Sequence, residues 1–145
     1  MLRIVLDTNV LISAFLKKGS APSSILVLAE RGELGLYTSM EIMDEYEGVL
    51  RRPKFQSISG KALRYLEKNR RRFISVKPKE KVTAIKEDPE DNKFLECAIE
   101  ARADYLITGN TNHFPFKKYR ETAIVMPKEF IDLVTKSIFE AKKDE

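Results

Sequence analysis

Apolar residues recur along the chain first in short runs and then at helical intervals. Arg3 to Leu6 is a run rich in β-forming residues; Asp7-Thr8-Asn9 interrupts it, and Val10, Leu11, Ala14 and Phe15 follow at helical spacing. That pattern predicts strand, turn, helix. Pro22 suits the first position of a second helix, Ile25, Leu26, Leu28 and Ala29 give it an apolar stripe, and Gly32 offers a left-handed stop. Leu34 to Thr38 predicts a second strand. Thr38-Ser39-Met40-Glu41 then has the spacing of a capping box opening a helix toward Leu50, with Pro53 closing it.

The second half repeats the alternation. Lys61 to Phe73 predicts a basic helix, Ile74 to Val76 a brief strand, and Lys77 to Glu87 a polar, charged loop. Asp88 is placed to cap the next helix, with Pro89 in its first turn and Leu95, Ala98 and Ile99 among its apolar positions, ending near Arg102. Tyr105 to Thr108 and Ala123 to Met126 predict two buried strands, and Pro127 introduces a last helix through Phe130, Ile131, Val134 and Ile138. Strands alternating with helices imply βαβ crossovers. The expected fold is α/β, three-layer α/β/α, around a central, mostly parallel sheet of four to five strands. With 145 residues, 43% of them hydrophobic, and no internal repeat or linker, the expectation is one domain over residues 1–140 and a frayed charged tail at 141–145.

Composition narrows the chemistry. Cys97 is the only cysteine and lies in a helical pattern, so no internal disulfide forms and a reducing compartment is expected. The N-terminal run has no basic lead or cleavage site, and no apolar run approaches the ~20 residues that span a bilayer. A soluble, cytoplasmic protein with no membrane partner is the expectation. His113 is the only histidine, which excludes a two-histidine acid/base ribonuclease and a His-rich zinc site. Net charge is only +4, but between Arg51 and Arg72 there are nine basic residues against one acid, Glu67. A solvated helix face is one reading of this run. Phosphate binding is the other, with Arg51, Arg52, Lys54, Arg64, Lys68 and Arg71 as candidates, because solvated faces usually mix signs to gain i,i+4 pairs.

Ligands of open α/β sheets gather beyond the carboxyl ends of the strands. Asp7, the Thr38-Ser39 turn and the Thr108-Gly109-Asn110 turn all fall there. Asp7 could serve only as a helix cap, yet Thr8 and Asn9 are also available for capping. On the third helix, Ile42, Tyr46, Val49 and Leu50 share one face, Asp44 and Glu47 point away, and Glu45 sits at the edge of the stripe, from which it can reach inward. Asp91 projects between Leu95 and Ala98 on the buried side of its helix, where an unpaired carboxylate is costly. An acid in a first turn is also favoured by the helix dipole, or in a capping arrangement with Asp88, so position alone leaves Asp91 open. Three converging carboxylates call for a hard divalent ion such as Mg²⁺ or Mn²⁺, which suits phosphodiester hydrolysis without a protein nucleophile.

These segments resemble a known family. Val5-Leu6-Asp7-Thr8-Asn9-Val10-Leu11, Ser39 through Glu45 into Val49-Leu50-Arg51-Arg52-Pro53-Lys54-Phe55, Asp88-Pro89-Glu90-Asp91-Asn92-Lys93-Phe94-Leu95, and Ala103-Asp104-Tyr105-Leu106-Ile107-Thr108-Gly109-Asn110 are together similar to the PIN-domain family, in its toxin-component branch. The likeness runs from Arg3 to about Leu133. It implies a parallel sheet, Mg²⁺ or Mn²⁺ dependence, RNA cleavage, and catalytic, metal-binding acids at Asp7, Glu45 and Asp91, with Thr8, Asn9, Ser39 and Thr108 in polar supporting positions. It also implies a homodimer and a small antitoxin protein that enters the active-site groove. The chain departs from the pattern at Asn110 and Asn112, where many members carry aspartates. Asn110 can still ligate through its carbonyl oxygen and Asn112 can support, but neither adds charge, so metal affinity should fall.

Two other functions compete with this one. A haloacid-dehalogenase-like phosphatase needs a second Asp two residues after the first, where this chain has Asn9. A catalytically silent RNA-binding or partner-binding module is the stronger rival, on the strength of Asn110 and Asn112 and of the capping role open to Asp91.

Overall fold

The structure is a computed structural model that describes the backbone of residues 1–143 and the side chains of residues 1–137. Its elements in chain order are β1 (Leu2–Leu6), α1 (Thr8–Leu16), α2 (Ala21–Glu30), β2 (Leu34–Thr38), α3 (Met40–Leu50), α4 (Gln56–Lys68), β3 (Phe73–Ser75), α5 (Asn92–Ala101), β4 (Tyr105–Ile107), β5 (Lys118–Tyr119), β6 (Thr122–Val125) and α6 (Pro127–Lys143). The sheet runs β3-β2-β1-β4-β6-β5, and every pairing is parallel except that of β5 with β6.

The α/β architecture with a mostly parallel central sheet is as expected, with six strands in place of four to five. The additional strand is β5, whose two residues pair antiparallel with β6 across a turn in which Arg120 takes a left-handed φ of 52°. Two residues cannot display a period, so this strand leaves no mark in the sequence.

Boundaries elsewhere follow local chemistry. Gly32 adopts φ +75° and ends α2 as its position suggests, the Glu33 N–H reaching back to the Leu28 carbonyl at 3.0 Å. The capping expectation at α3 is corrected by one residue. Ser39, not Thr38, is the N-cap, its hydroxyl accepting the Ile42 N–H at 3.3 Å, and Thr38 instead ends β2. The basic helix is also shifted. It starts at Gln56, after the 3-10 turn Pro53–Phe55, and stops at Lys68, so Phe73 belongs to β3. The Asn69 side chain donates to the Tyr65 carbonyl at 2.9 Å at that end. α6 continues through Lys143, into the segment expected to fray; Asp144 and Glu145 lie outside the described residues.

Strands β1 and β4 are the centre of the sheet, and Ile4, Val5, Leu6, Leu106 and Ile107 on them are almost fully buried. α5 packs across β1, β2 and β4, with Phe94, Leu95, Cys97 and Ala98 in the core. The loop ahead of α5, expected to be only polar, is fastened to it. Val82 and Ile85 are buried, the Val82 N–H donates to Glu96 at 2.9 Å, and the Asn92 amide exchanges two 2.9 Å hydrogen bonds with the Ile85 backbone. These bonds satisfy backbone groups that the hydrophobic anchors take out of water. They also fix the start of α5, next to Asp91.

Burial pushes the Cys97 thiol up to about 12, so almost no thiolate exists near neutral pH. Iodoacetamide is therefore expected to leave the native protein unlabelled at mildly alkaline pH and to modify it once it is unfolded. Prompt labelling of the native protein, read by mass spectrometry, would show that α5 opens readily. Among the described residues no single helix is long and apolar enough to cross a membrane.

Candidate active site

The chain runs from β1 to β2 and β3 on one side of the sheet, then returns to place β4 on the other side of β1. Such a reversal leaves a crevice beyond the carboxyl ends of the two central strands. Leu6 is paired with Ile107, so the residues just past them, Asp7 and Thr108, lie side by side. The Asp7 N–H donates to the Ile107 carbonyl at 2.9 Å, and the Thr108 hydroxyl donates to Asp7 Oδ2 at 2.7 Å. Thr108 is fully buried and its oxygen also accepts the Asn110 N–H at 3.0 Å. Asn9 Oδ1 accepts the Gly109 N–H at 3.2 Å, joining the β1–α1 turn to the turn after β4.

The alternative of a mere capping role for Asp7 is not met, since its side chain makes no cap hydrogen bond to α1. Neither Thr8 nor Asn9 caps the helix: the Thr8 hydroxyl donates to Glu45 Oε2 instead. Burial holds the Asp7 carboxyl above its ordinary value, and the charge of Glu45 adds to this, against the Thr108 hydroxyl and the Thr8 N–H.

Glu45 reaches in from α3. Its position relative to Asp7 is fixed by the neighbouring Tyr46, which is fully buried and donates its hydroxyl to the Leu6 carbonyl. The second oxygen of Glu45 accepts the Lys93 ammonium at 2.7 Å, and Lys93 also contacts Glu90 at 3.3 Å. Burial opposes the charge on Lys93, yet the bonds to Glu45 and Glu90 outweigh it and hold the ammonium above its usual range.

Asp91 precedes α5 in the 3-10 turn Pro89–Asp91, and neither it nor Asp88 makes a cap hydrogen bond. Its carboxyl is pushed up to about 6, by burial first and then by the charges of Asp7, Asp88 and Glu45, with His113 acting in the opposite direction. His113 Nδ1 lies 3.6 Å from Asp91 Oδ2 and 3.9 Å from Asp88 Oδ2, and its Nε2 is 3.0 Å from the Asn110 amide nitrogen.

Asp7, Glu45 and Asp91 line one groove of about 670 Å³, together with Thr8, Asn9, Asp88 and His113. Ile12, Leu16, Val49 and Phe55 supply its apolar wall, and Arg52 and Lys54 its basic end. The Lys54 ammonium lies 5.0 Å from the centre of the Phe55 ring. The remaining candidates are dispersed. Arg51 pairs with Glu47 at 3.8 Å, while Arg64, Lys68 and Arg71 are exposed and do not line the groove. Ser39 acts at a distance, by capping α3. Asn110 faces His113, and Asn112 is exposed beside a separate hollow at Pro115.

Two participants escaped sequence reasoning. Lys93 stands next to the buried stretch Phe94 to Ala98, and a lysine directly before the apolar pair Phe94-Leu95 was the one available signal in the sequence. His113 follows Asn110 at a spacing of three residues, which the 3-10 turn Thr111–His113 turns into a contact.

The arrangement places carboxylates at the sheet's topological switch point, beside a basic, partly aromatic wall. That is suited to an anionic, base-bearing substrate and a divalent ion. An uncharacterised protein of Methanocaldococcus jannaschii is 29% identical over 94% of each chain. Residues 3–112 match the PIN domain, and with most of the chain inside that match and its acids gathered in one groove, the protein belongs to the PIN-domain family, whose members are typically metal-dependent nucleases.

Proposed function

We infer that the protein is a metal-dependent endoribonuclease that hydrolyses RNA phosphodiester bonds. The observation that carries this reading is that Asp7, Glu45 and Asp91 share one groove with Arg52, Lys54 and Phe55. The donor set fits Mg²⁺ or Mn²⁺: it is rich in carboxylate oxygen, and among the described residues no Lys or Arg pairs with Asp7 or Asp91. Asp7, Glu45 and Asp91 would hold the ion, which supplies an activated water and neutralises charge at the scissile phosphate.

The protein's own groups do the rest. Thr108 aims the Asp7 carboxylate, and Thr8 with Lys93 aims that of Glu45. Arg52 and Lys54 attract the RNA backbone, and Phe55, partly buried along the groove, is the aromatic side chain there that a base could stack on. The proposal includes action in the cytoplasm as the toxin of a toxin-antitoxin pair, as a homodimer, with a small antitoxin whose apolar side chains would rest on Ile12, Leu16 and Val49.

One observation favours the alternative of a silent RNA- or partner-binding module. Both oxygens of Glu45 are already engaged, by Thr8 and Lys93. Incubating the purified protein with end-labelled single-stranded RNA in Mg²⁺, Mn²⁺ or EDTA separates the two. Cleavage that leaves 5′-phosphates and stops in EDTA is expected; salt-sensitive RNA binding without cleavage in either metal would make the protein a binding module.

A further inference from the structure

Asn110 occupies a place where an acid was expected, and its amide is engaged with an imidazole. Among the described residues, Asp88, Asp91 and His113 form the group of three possible ligands whose donor atoms all lie within 4.8 Å of one another. Metal–ligand distances of roughly 2.0–2.2 Å put neighbouring ligand atoms about 3 Å apart. The present separations of 3.6 and 3.9 Å from His113 Nδ1 to the two carboxylates therefore need only small side-chain movements to close. His113 and Asp88 are both about half exposed, so those movements meet little resistance.

A ligating Nδ1 must be unprotonated, which leaves the proton on Nε2, and metal-bound imidazoles normally donate that proton to an outer partner. Asn110 is built for this exchange. Its amide nitrogen can donate to Nε2 while Nδ1 carries the proton, and a half-turn of the amide brings its oxygen to the same 3.0 Å position to accept from Nε2–H. An ionised aspartate there could accept from Nε2–H once an ion is bound, but it could not donate to an unprotonated Nε2 in the metal-free state, as the Asn110 amide nitrogen does.

Resting on the nuclease reading for the role of Asp91, we propose that His113, Asp88 and Asp91 form a nitrogen-containing metal position at the rim of the groove that takes a first-row transition ion, Mn²⁺ or Zn²⁺, in preference to Mg²⁺, with Asn110 as the imidazole's outer partner. Mg²⁺ prefers a near-ideal shell of oxygens and gives up water reluctantly, whereas imidazole suits the transition ions. The position makes the choice of ion a property of this chain's departure from the acid pattern.

His113 is the only histidine, so imidazole-¹⁵N labelling of the full chain gives a single pair of ring nitrogens to follow. On adding Zn²⁺ in the presence of excess Mg²⁺, Nδ1 should move to a metal-bound position and Nε2 should become the protonated nitrogen. By calorimetry, the ratio of Mn²⁺ to Mg²⁺ affinity should fall at least ~10-fold in His113→Ala and in Asp88→Asn, and by less in Asn110→Ala. Ring nitrogens that stay unmoved while ions bind in a manner abolished by Asp7→Asn would overturn the proposal and leave the nuclease reading intact. A Zn²⁺ response equally strong in Asp88→Asn and Asp91→Asn would also overturn it, since it marks a surface histidine acting alone. Absence of any ion binding, together with absence of cleavage, would remove both readings.

Discussion

Asp7→Asn is expected to cut cleavage by at least about 10³-fold while leaving the metal-free protein as stable as the native one or more so. The carboxamide can still accept the Thr108 hydroxyl, so the turn beyond β1 keeps its geometry. What is lost is a charge that burial and the neighbouring Glu45 already disfavour. Asp91→Asn makes the same trade with a magnitude attached. Its carboxyl is raised from 3.8 to about 6, so the folded chain holds this proton more tightly than the unfolded chain does. Stability linked to Asp91 is therefore fully present below pH 3.8 and is lost as the pH rises through about 6. At full weight such a shift corresponds to about 3 kcal/mol; for a partly solvated group about 1 kcal/mol is the fair expectation. In EDTA at neutral pH, Asp91→Asn should then melt roughly 2–4 °C higher than the native protein, and the gain should vanish in acid. Thermal melts with and without Mn²⁺, alongside the RNA assay, check both halves. Variants that cleave normally would end the assignment of Asp7 and Asp91 to the cleaving site, and variants that melt lower in EDTA would contradict the account of uncompensated buried charge.

The placement of Asp7 and Glu45 is legible because their elements have strong periods, whereas Asp91, in a 3-10 turn ahead of α5, is left open by its position in the sequence. Arg3 to Leu6 reads as a strand from its β-formers alone, and a strand's end fixes where Asp7 must lie. Glu45 was found by projecting the stripe of Ile42, Tyr46, Val49 and Leu50 around a helix, and the structure leaves its side chain 24% exposed, at the border of the core. Contacts that depend on irregular backbone were not legible. His113 reaches Asp91 only because a 3-10 turn follows β4, and Lys93 meets Glu45 only because α5 begins after a second such turn. The extent of α4 differs from the sequence pattern for a related reason. Arg70, Arg71 and Arg72 look like continuing helix, but Asn69 closes the last turn and Arg72 turns back to donate to the Glu30 carbonyl. The basic run is therefore divided. Arg52 and Lys54 border the groove, and the helical charges on α4 are displayed elsewhere on the surface.

Tyr46 joins the two halves of the site, and its removal is expected to have the largest structural effect. One hydrogen bond from its hydroxyl ties the residue after Glu45 to the residue before Asp7. Burial keeps the phenol protonated far above its usual range, so it remains a donor at any working pH. Tyr46→Ala empties one of the largest fully buried positions and should cost about 3–5 kcal/mol. Tyr46→Phe is the sharper test, because it leaves the packing in place and removes only the donor to a buried carbonyl, costing about 1–2 kcal/mol. The melting temperature should fall by a few degrees, roughly 2–6 °C, and the chain should stay folded. Cleavage should fall by more than that loss explains, toward ~10²-fold, because α3 then loses its hydrogen bond to the end of β1 and a displacement of about 1 Å between reacting groups has that effect. The comparison is made at saturating Mn²⁺ and well below the melting temperature, with circular dichroism establishing that the chain is folded. Tyr46→Phe cleaving at the native rate despite its lower melting temperature would mean that packing alone holds Glu45 opposite Asp7, and that the hydroxyl contributes to stability without setting the geometry of the site.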